Sequence, residues 1–160
     1  MDLRTPLRPR RGIKKVLPPF DPKSQEDQPL DLVAWINIRD RKMLMGLTAG
    51  EHKFVTIGGR RKYLPGGLED EATALARTVR EQVGVEIDAQ SAYNIHVFRQ
   101  TTKKGRHIRL SCYSADGLGL PIKNPAVLDD MRYLGSKDKH LLTQVCKDVF
   151  DWLEAAKIIA

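Results

Sequence analysis

The sequence predicts an α/β (α+β) domain, a mixed sheet with two helices, preceded by a separate arm. Three observations carry that prediction. Apolar runs of strand length, alternating or continuous, recur from Leu30 onward. Two segments, 70–83 and 138–157, change to a helical period. The first 29 residues hold six of the nine prolines, which removes any continuous helix and leaves too little apolar surface for a core.

Residues 1–29 therefore read as a basic, proline-rich arm and residues 30–160 as the folded domain, long enough to bury a core. Within the first 15 residues Arg4, Arg8, Arg10, Arg11, Lys14 and Lys15 face only Asp2, so +5 of the chain's net +7 sits there. Such an arm suits a polyanion, either nucleic acid or an acidic protein face; a solvated tail has the same composition. The start lacks the apolar core of a secretory signal, and the longest apolar runs fall far short of a membrane span. The expectation is a cytoplasmic protein with no membrane contact. Cys112 and Cys146 have no metal-ligand spacing and read as buried thiols, with a disulfide as the other option.

In the domain, Leu32 to Ile38 reads as a buried strand. The charged turn Arg39-Asp40-Arg41-Lys42 joins it to Met43–Leu47 in a hairpin. Phe54–Ile57 is a strand ended by Gly58-Gly59, and Tyr63-Leu64 a short one ended by Pro65-Gly66-Gly67. From Asp70 to Val83, Ala72, Leu75, Ala76, Val79 and Val83 share one helical face, and Gly84 stops the helix. Residues 93–100 and 106–115 alternate as two strands around the turn Thr102-Lys103-Lys104-Gly105. A last strand covers Met131–Leu134, and the stripe Leu142, Val145, Val149, Trp152, Leu153 and Ala156 marks a closing helix.

Candidate chemistry concentrates between residues 58 and 85. Gly58-Gly59-Arg60-Arg61-Lys62 sets three cations beside a glycine turn, a phosphate site or a solvated basic turn. Leu64-Pro65-Gly66-Gly67, then Glu69-Asp70-Glu71, then Arg77-Thr78-Val79-Arg80-Glu81-Gln82-Val83-Gly84-Val85 resemble the signature of the Nudix hydrolases, G-x5-E-x7-R-E-U-x-E-E-x-G-U with U aliphatic. Glu69, Arg77, Val79, Glu81, Gly84 and Val85 match it, and Thr78 and Gln82 replace two of the three clustered glutamates. One residue separates Gly67 from Glu69 where the pattern has five, whereas nine separate Gly59 from Glu69.

The resemblance implies a Nudix-type mixed β-sheet sandwiched between helices. It also implies hydrolysis of a nucleoside diphosphate linked to another moiety, using Mg²⁺ or Mn²⁺. Glu81 would be the metal ligand, with Glu69 or Glu71 as further candidates. Arg77 would orient Glu81, and Gly66 and Gly67 would line the phosphate loop. The lost glutamates carry the other reading, a lapsed module that binds nucleotide, RNA or an acidic partner without chemistry. Arg77 and Glu81 are also an ordinary i,i+4 ion pair.

Removing residues 1–25 is expected to leave the melting temperature nearly unchanged. A large fall in a thermal melt would show that the arm packs on the domain.

Overall fold

A computed structural model describes residues 29–160, so the arm assigned to 1–29 lies outside the described residues except for Pro29. The strands are β1 (Leu30–Trp35), β2 (Ile38–Arg39), β3 (Lys42–Thr48), β4 (Val55–Arg60), β5 (Tyr63–Leu64), β6 (Gly67–Leu68), β7 (Glu86–Ile87), β8 (Tyr93–Thr101), β9 (His107–Ser114), β10 (Gly117–Leu118) and β11 (Leu128–Leu134). The helices are α1 (Glu71–Val83) and α2 (Gln144–Ala155). The expected mixed α+β architecture is present.

Six strands line up as β11-β3-β4-β1-β9-β8, with β2 paired to β3. Only β1 and β9 run parallel among these pairs. Strand alternation sends side chains to two cores. On one face Val33, Trp35, Leu44 and Ile57 meet Ala74, Leu75, Val79 and Val83 of α1. On the other, Ala34, Met43, Met45, Leu110 and Cys112 meet Cys146, Val149, Phe150 and Leu153 of α2.

Local chemistry sets the ends of α1. Asp70 caps it by accepting from the Thr73 amide at 3.2 Å. Gly84, in the left-handed region at φ 71°, closes it by donating to the Arg80 carbonyl.

Four details differ from the sequence reading. The Arg39–Lys42 turn joins β2 to β3 instead of β1 to β3, because β4 inserts between β1 and β3. The strand expected to end at Gly58-Gly59 runs through both glycines to Arg60. The buried side of α1 holds Ala74 and Thr78 beside Leu75, Val79 and Val83, whereas Ala72 and Ala76 are half-buried. The closing helix is shorter than 138–157: residues Ser136–Leu141 form a 3-10 segment, and Leu142-Thr143 break to extended backbone before α2. There the Thr143 amide donates to the Phe54 carbonyl, so pairing with the sheet edge interrupts the helical ladder.

Both thiols are free and buried. Burial pushes Cys112 up to about 12 and raises Cys146 as well. A thiol-reactive disulfide reagent should therefore titrate neither cysteine in the native protein and both after denaturation; rapid reaction of the folded chain would contradict this packing.

Candidate functional site

The end of β4 and the flank of α1 enclose a hollow of about 500 Å³. Gly58, Gly59, Arg60, Lys62, Arg77, Thr78, Glu81 and Gln82 line it, together with Asn124 and Val127 from the segment before β11.

Its floor depends on a close approach of helix to strand. Gln82 presents its side-chain amide edge-on to the Gly58 peptide. The Gly58 amide donates to Oε1 at 2.9 Å, and Nε2 donates to the Gly58 carbonyl at 2.7 Å. One turn earlier Thr78 is buried, its hydroxyl donating to the Ala74 carbonyl at 2.8 Å, and its methyl faces Gly59. A methyl group added at Gly58, where φ is 139°, would run into the Val33 carbonyl oxygen of the neighbouring strand. Added at Gly59 it would stand 3.2 Å from the Thr78 methyl. Glycine is thus required at Gly58 by β1 and by the positive φ, while at Gly59 a methyl group would need Thr78 to give way by a few tenths of an ångström.

Glu69 stands behind Arg77, outside the lining of the hollow. It is 5% exposed and carries a fork-to-fork pair with Arg77, Nη2 to Oε1 at 2.7 Å and Nε to Oε2 at 3.0 Å. Its Oε1 also accepts from the Lys62 amide at 3.0 Å, while the Glu69 amide donates to the Lys62 carbonyl. The hydrogen bonds from Arg77 hold the Glu69 carboxyl below its ordinary pKa against the opposing effect of burial. Arg77 reaches onward to the Arg60 carbonyl at 2.9 Å and, more weakly, to Glu81 at 3.4 Å.

The geometry separates the two glycine pairs. Lys62 and Glu69 close the base of a hairpin, β5–β6, and Leu64-Pro65-Gly66-Gly67 forms its outer turn. Gly66 and Gly67 are exposed, would meet nothing if given a side chain, and do not line the hollow. The glycine pair at the hollow is Gly58-Gly59, whereas Gly66 and Gly67, expected to line a phosphate loop, lie at the hairpin turn.

Arg77 and Glu81 do come together at the hollow. Glu69 lies beside Arg77 but is consumed by it. Glu71 faces elsewhere: it accepts from Arg109 at 2.6 Å, Ser111 at 3.3 Å and Tyr113, with Arg61 at 3.5 Å. Burial pushes its carboxyl up, and the hydrogen bonds from Tyr113 and Arg109 outweigh that and hold it below the usual range. Tyr113 is pushed up to about 12 by burial and by that carboxylate.

The donor set does not fit a divalent cation held by the protein alone. Mg²⁺ needs hard oxygen ligands that are free to coordinate. Thr78 turns its hydroxyl into its own helix, Gln82 spends its oxygen on Gly58, and Glu81 is left as one exposed carboxylate. Among the described residues no group of three or more His, Cys, Asp or Glu side chains could hold a metal ion.

No family model matches the chain, and no curated protein matches it. Solved structures do. The Escherichia coli ORF135 protein superposes with a TM-score of 0.62 at 19% identity, over 82% of this chain and 95% of that one. The MutT Nudix hydrolase from Burkholderia pseudomallei gives 0.61 at 18%, over 78% and 97%. A UDP-X diphosphatase gives 0.55 at 15%, over 85% and 67%. The likeness is one of fold, and the chain has the Nudix fold.

Replacing Glu69 by Gln is expected to cost about 3 kcal/mol, since Arg77 then loses its buried partner. Because the folded carboxyl lies below the unfolded value of about 4.3, its contribution is present above that pH and is lost as pH falls through the folded value. Urea titrations across pH 3–7 should show the wild-type acid limb flattened in Glu69→Gln; an unchanged limb would remove Glu69 from its cause.

Proposed function

We propose that this chain is a Nudix-fold protein that binds a nucleoside diphosphate derivative by its phosphates in the hollow between β4 and α1, without needing a metal. The observation that carries this is the charge of the hollow. A site walled by three glutamates repels a diphosphate until cations neutralise it. Here Arg60 and Lys62 line it, the charge of Arg77 is cancelled by Glu69, and Glu81 is the one carboxylate among the lining residues. Arg60 and Lys62 would do directly what a metal does in a carboxylate site, and the Gly58-Gly59 backbone leaves room for phosphate to approach. The fold supports the ligand class, since one structural neighbour is a UDP-X diphosphatase.

One observation favours a second reading, a divergent hydrolase. Arg77 still connects Glu69 to Glu81, so the matching residues of the signature remain assembled around one carboxylate. In that reading Glu81 is the sole protein ligand for Mg²⁺ or Mn²⁺ arriving with the diphosphate. Thr78 and Gln82 weigh against it, because they hold the helix to the strand and leave no oxygen for a cation.

Calorimetric titration with a nucleotide sugar such as UDP-glucose, in EDTA and again in Mg²⁺, separates the two. Binding in EDTA, weakened about tenfold or more by Lys62→Glu and little changed by Glu81→Gln, is the expected result. Binding that appears only with Mg²⁺, with cleavage of the diphosphate bond abolished by Glu81→Gln, would replace this reading by the hydrolase.

A further inference from the structure

The charge of the domain is polarised, and the hollow accounts for only part of it. Residues 29–160 contain 20 lysines and arginines against 16 aspartates and glutamates. Eight of those cations, Arg60, Arg61, Lys62, Arg99, Lys103, Lys104, Arg106 and Arg109, fall at one end of the sheet. The topology gathers them. Leu32 of β1 pairs with Arg60 at the end of β4, Asp31 pairs with Arg109 near the start of β9, and Arg109 pairs with Arg99 near the end of β8. The turn between β8 and β9 adds Lys103 and Lys104 beyond the same edge. Asp31, Glu69 and Glu71 lie within this end, and elsewhere carboxylates and cations nearly balance, 13 to 12.

Internal pairing neutralises only part of the cluster. Arg61 and Arg109 are bound to Asp31 and Glu71. Arg60, Lys62, Arg99, Lys103 and Lys104 are exposed and form no salt bridge among the described residues. Two hollows open here. One, of about 310 Å³, is lined by Arg99, Thr101, His107 and Arg109. The other is lined by Arg60, Arg61 and Tyr63, and Arg60 connects it to the phosphate hollow.

We propose that this end of the sheet is a docking surface for the sugar–phosphate backbone of single-stranded nucleic acid. Three features favour that partner over an acidic protein. Cations come from three of the four strands that end here, Arg60 of β4, Arg109 of β9 and Arg99 of β8, with Asp31 of β1 between the first two. Tyr63 is 52% exposed among them, a ring on which a base can stack. The described chain begins at this edge with Pro29, and residues 1–15 of the sequence hold six further cations. A single strand can follow such a surface with little sequence preference, whereas a folded acidic protein needs a matched shape.

The proposal is independent of what occupies the phosphate hollow. The test uses the full-length protein and a fluorescein-labelled 20-nucleotide mixed-sequence RNA, with Arg99→Glu/Lys103→Glu/Lys104→Glu as the main variant and Lys53→Glu/Lys123→Glu/Lys137→Glu as the control elsewhere. Each phosphate contact on a single strand contributes about 0.7 to the slope of log affinity against log salt. Loss of three contacts should weaken binding at least tenfold and lower that slope by about 2, with UDP-glucose binding and the melting temperature kept. The control variant should retain most of the affinity. Should the main variant fail to fold, Lys104→Glu and Lys103→Glu singly should each lower the slope by somewhat less than 1. Equal binding by wild type and main variant would overturn the proposal and assign the affinity to the arm. Displacement of the RNA by polyglutamate at equal charge would also overturn it, in favour of an acidic protein.

Discussion

The distance between α1 and β4 is the constraint on which the rest of this molecule depends. Gln82 fixes it by pairing its amide with both polar groups of the Gly58 peptide, and Thr78 by resting its methyl on Gly59. A strand in mid-sheet that is also hydrogen-bonded by a helix side chain is held from two directions. Glycine is the residue that permits this, because a side chain at Gly58 would collide with β1. The same contact that seats the helix also decides the chemistry. Two positions at which a carboxylate would serve a cation are occupied by neutral groups whose polar atoms are already satisfied.

The second consequence is electrostatic. Two glutamates added at 78 and 82 would have to be desolvated beside Glu81 and neutralised from outside. With Thr and Gln in their place that cost is absent, and the proposed phosphate ligand would meet Arg60 and Lys62 with no bridging cation. Glu69 and Arg77 cancel one another and leave the charge balance to Arg60, Lys62 and Glu81. The Glu69–Arg77 pair is structural in this sense: it joins the base of the β5–β6 hairpin to the middle of α1, and Arg77 also bonds to the end of β4 through the Arg60 carbonyl.

A second polar assembly anchors the start of the same helix. Glu71 gathers Arg61, Arg109, Ser111 and Tyr113 from β9 and the segment after β4, which ties the helix N-terminus to the parallel strand pair. An acidic residue in the first turn suits the helix dipole, and here, together with Asp31, it neutralises two arginines of the basic sheet end. α1 is thus pinned at its start by charge and at its middle and end by shape and amide pairing.

Much of this fold could be read in the sequence. The period change at Asp70, the stop at Gly84, the alternation through 93–115 and the apolar stripe after Leu142 each report a local preference, and local preferences determine element type. The Arg77–Glu81 spacing was legible for the same reason, since i and i+4 meet on any helix. What the sequence could not determine was which of two glycine pairs meets the helix. Leu-Pro-Gly-Gly and Ile-Gly-Gly carry the same backbone freedom, and only the packing of α1 on β4 sends one pair inward and the other to a hairpin tip. Nor could it show that Thr78 and Gln82 are occupied, because a side chain's free valences depend on the strand brought against it. The positive end of the sheet belongs to tertiary structure too: its cations lie up to about fifty residues apart, and strand pairing alone puts them on one edge.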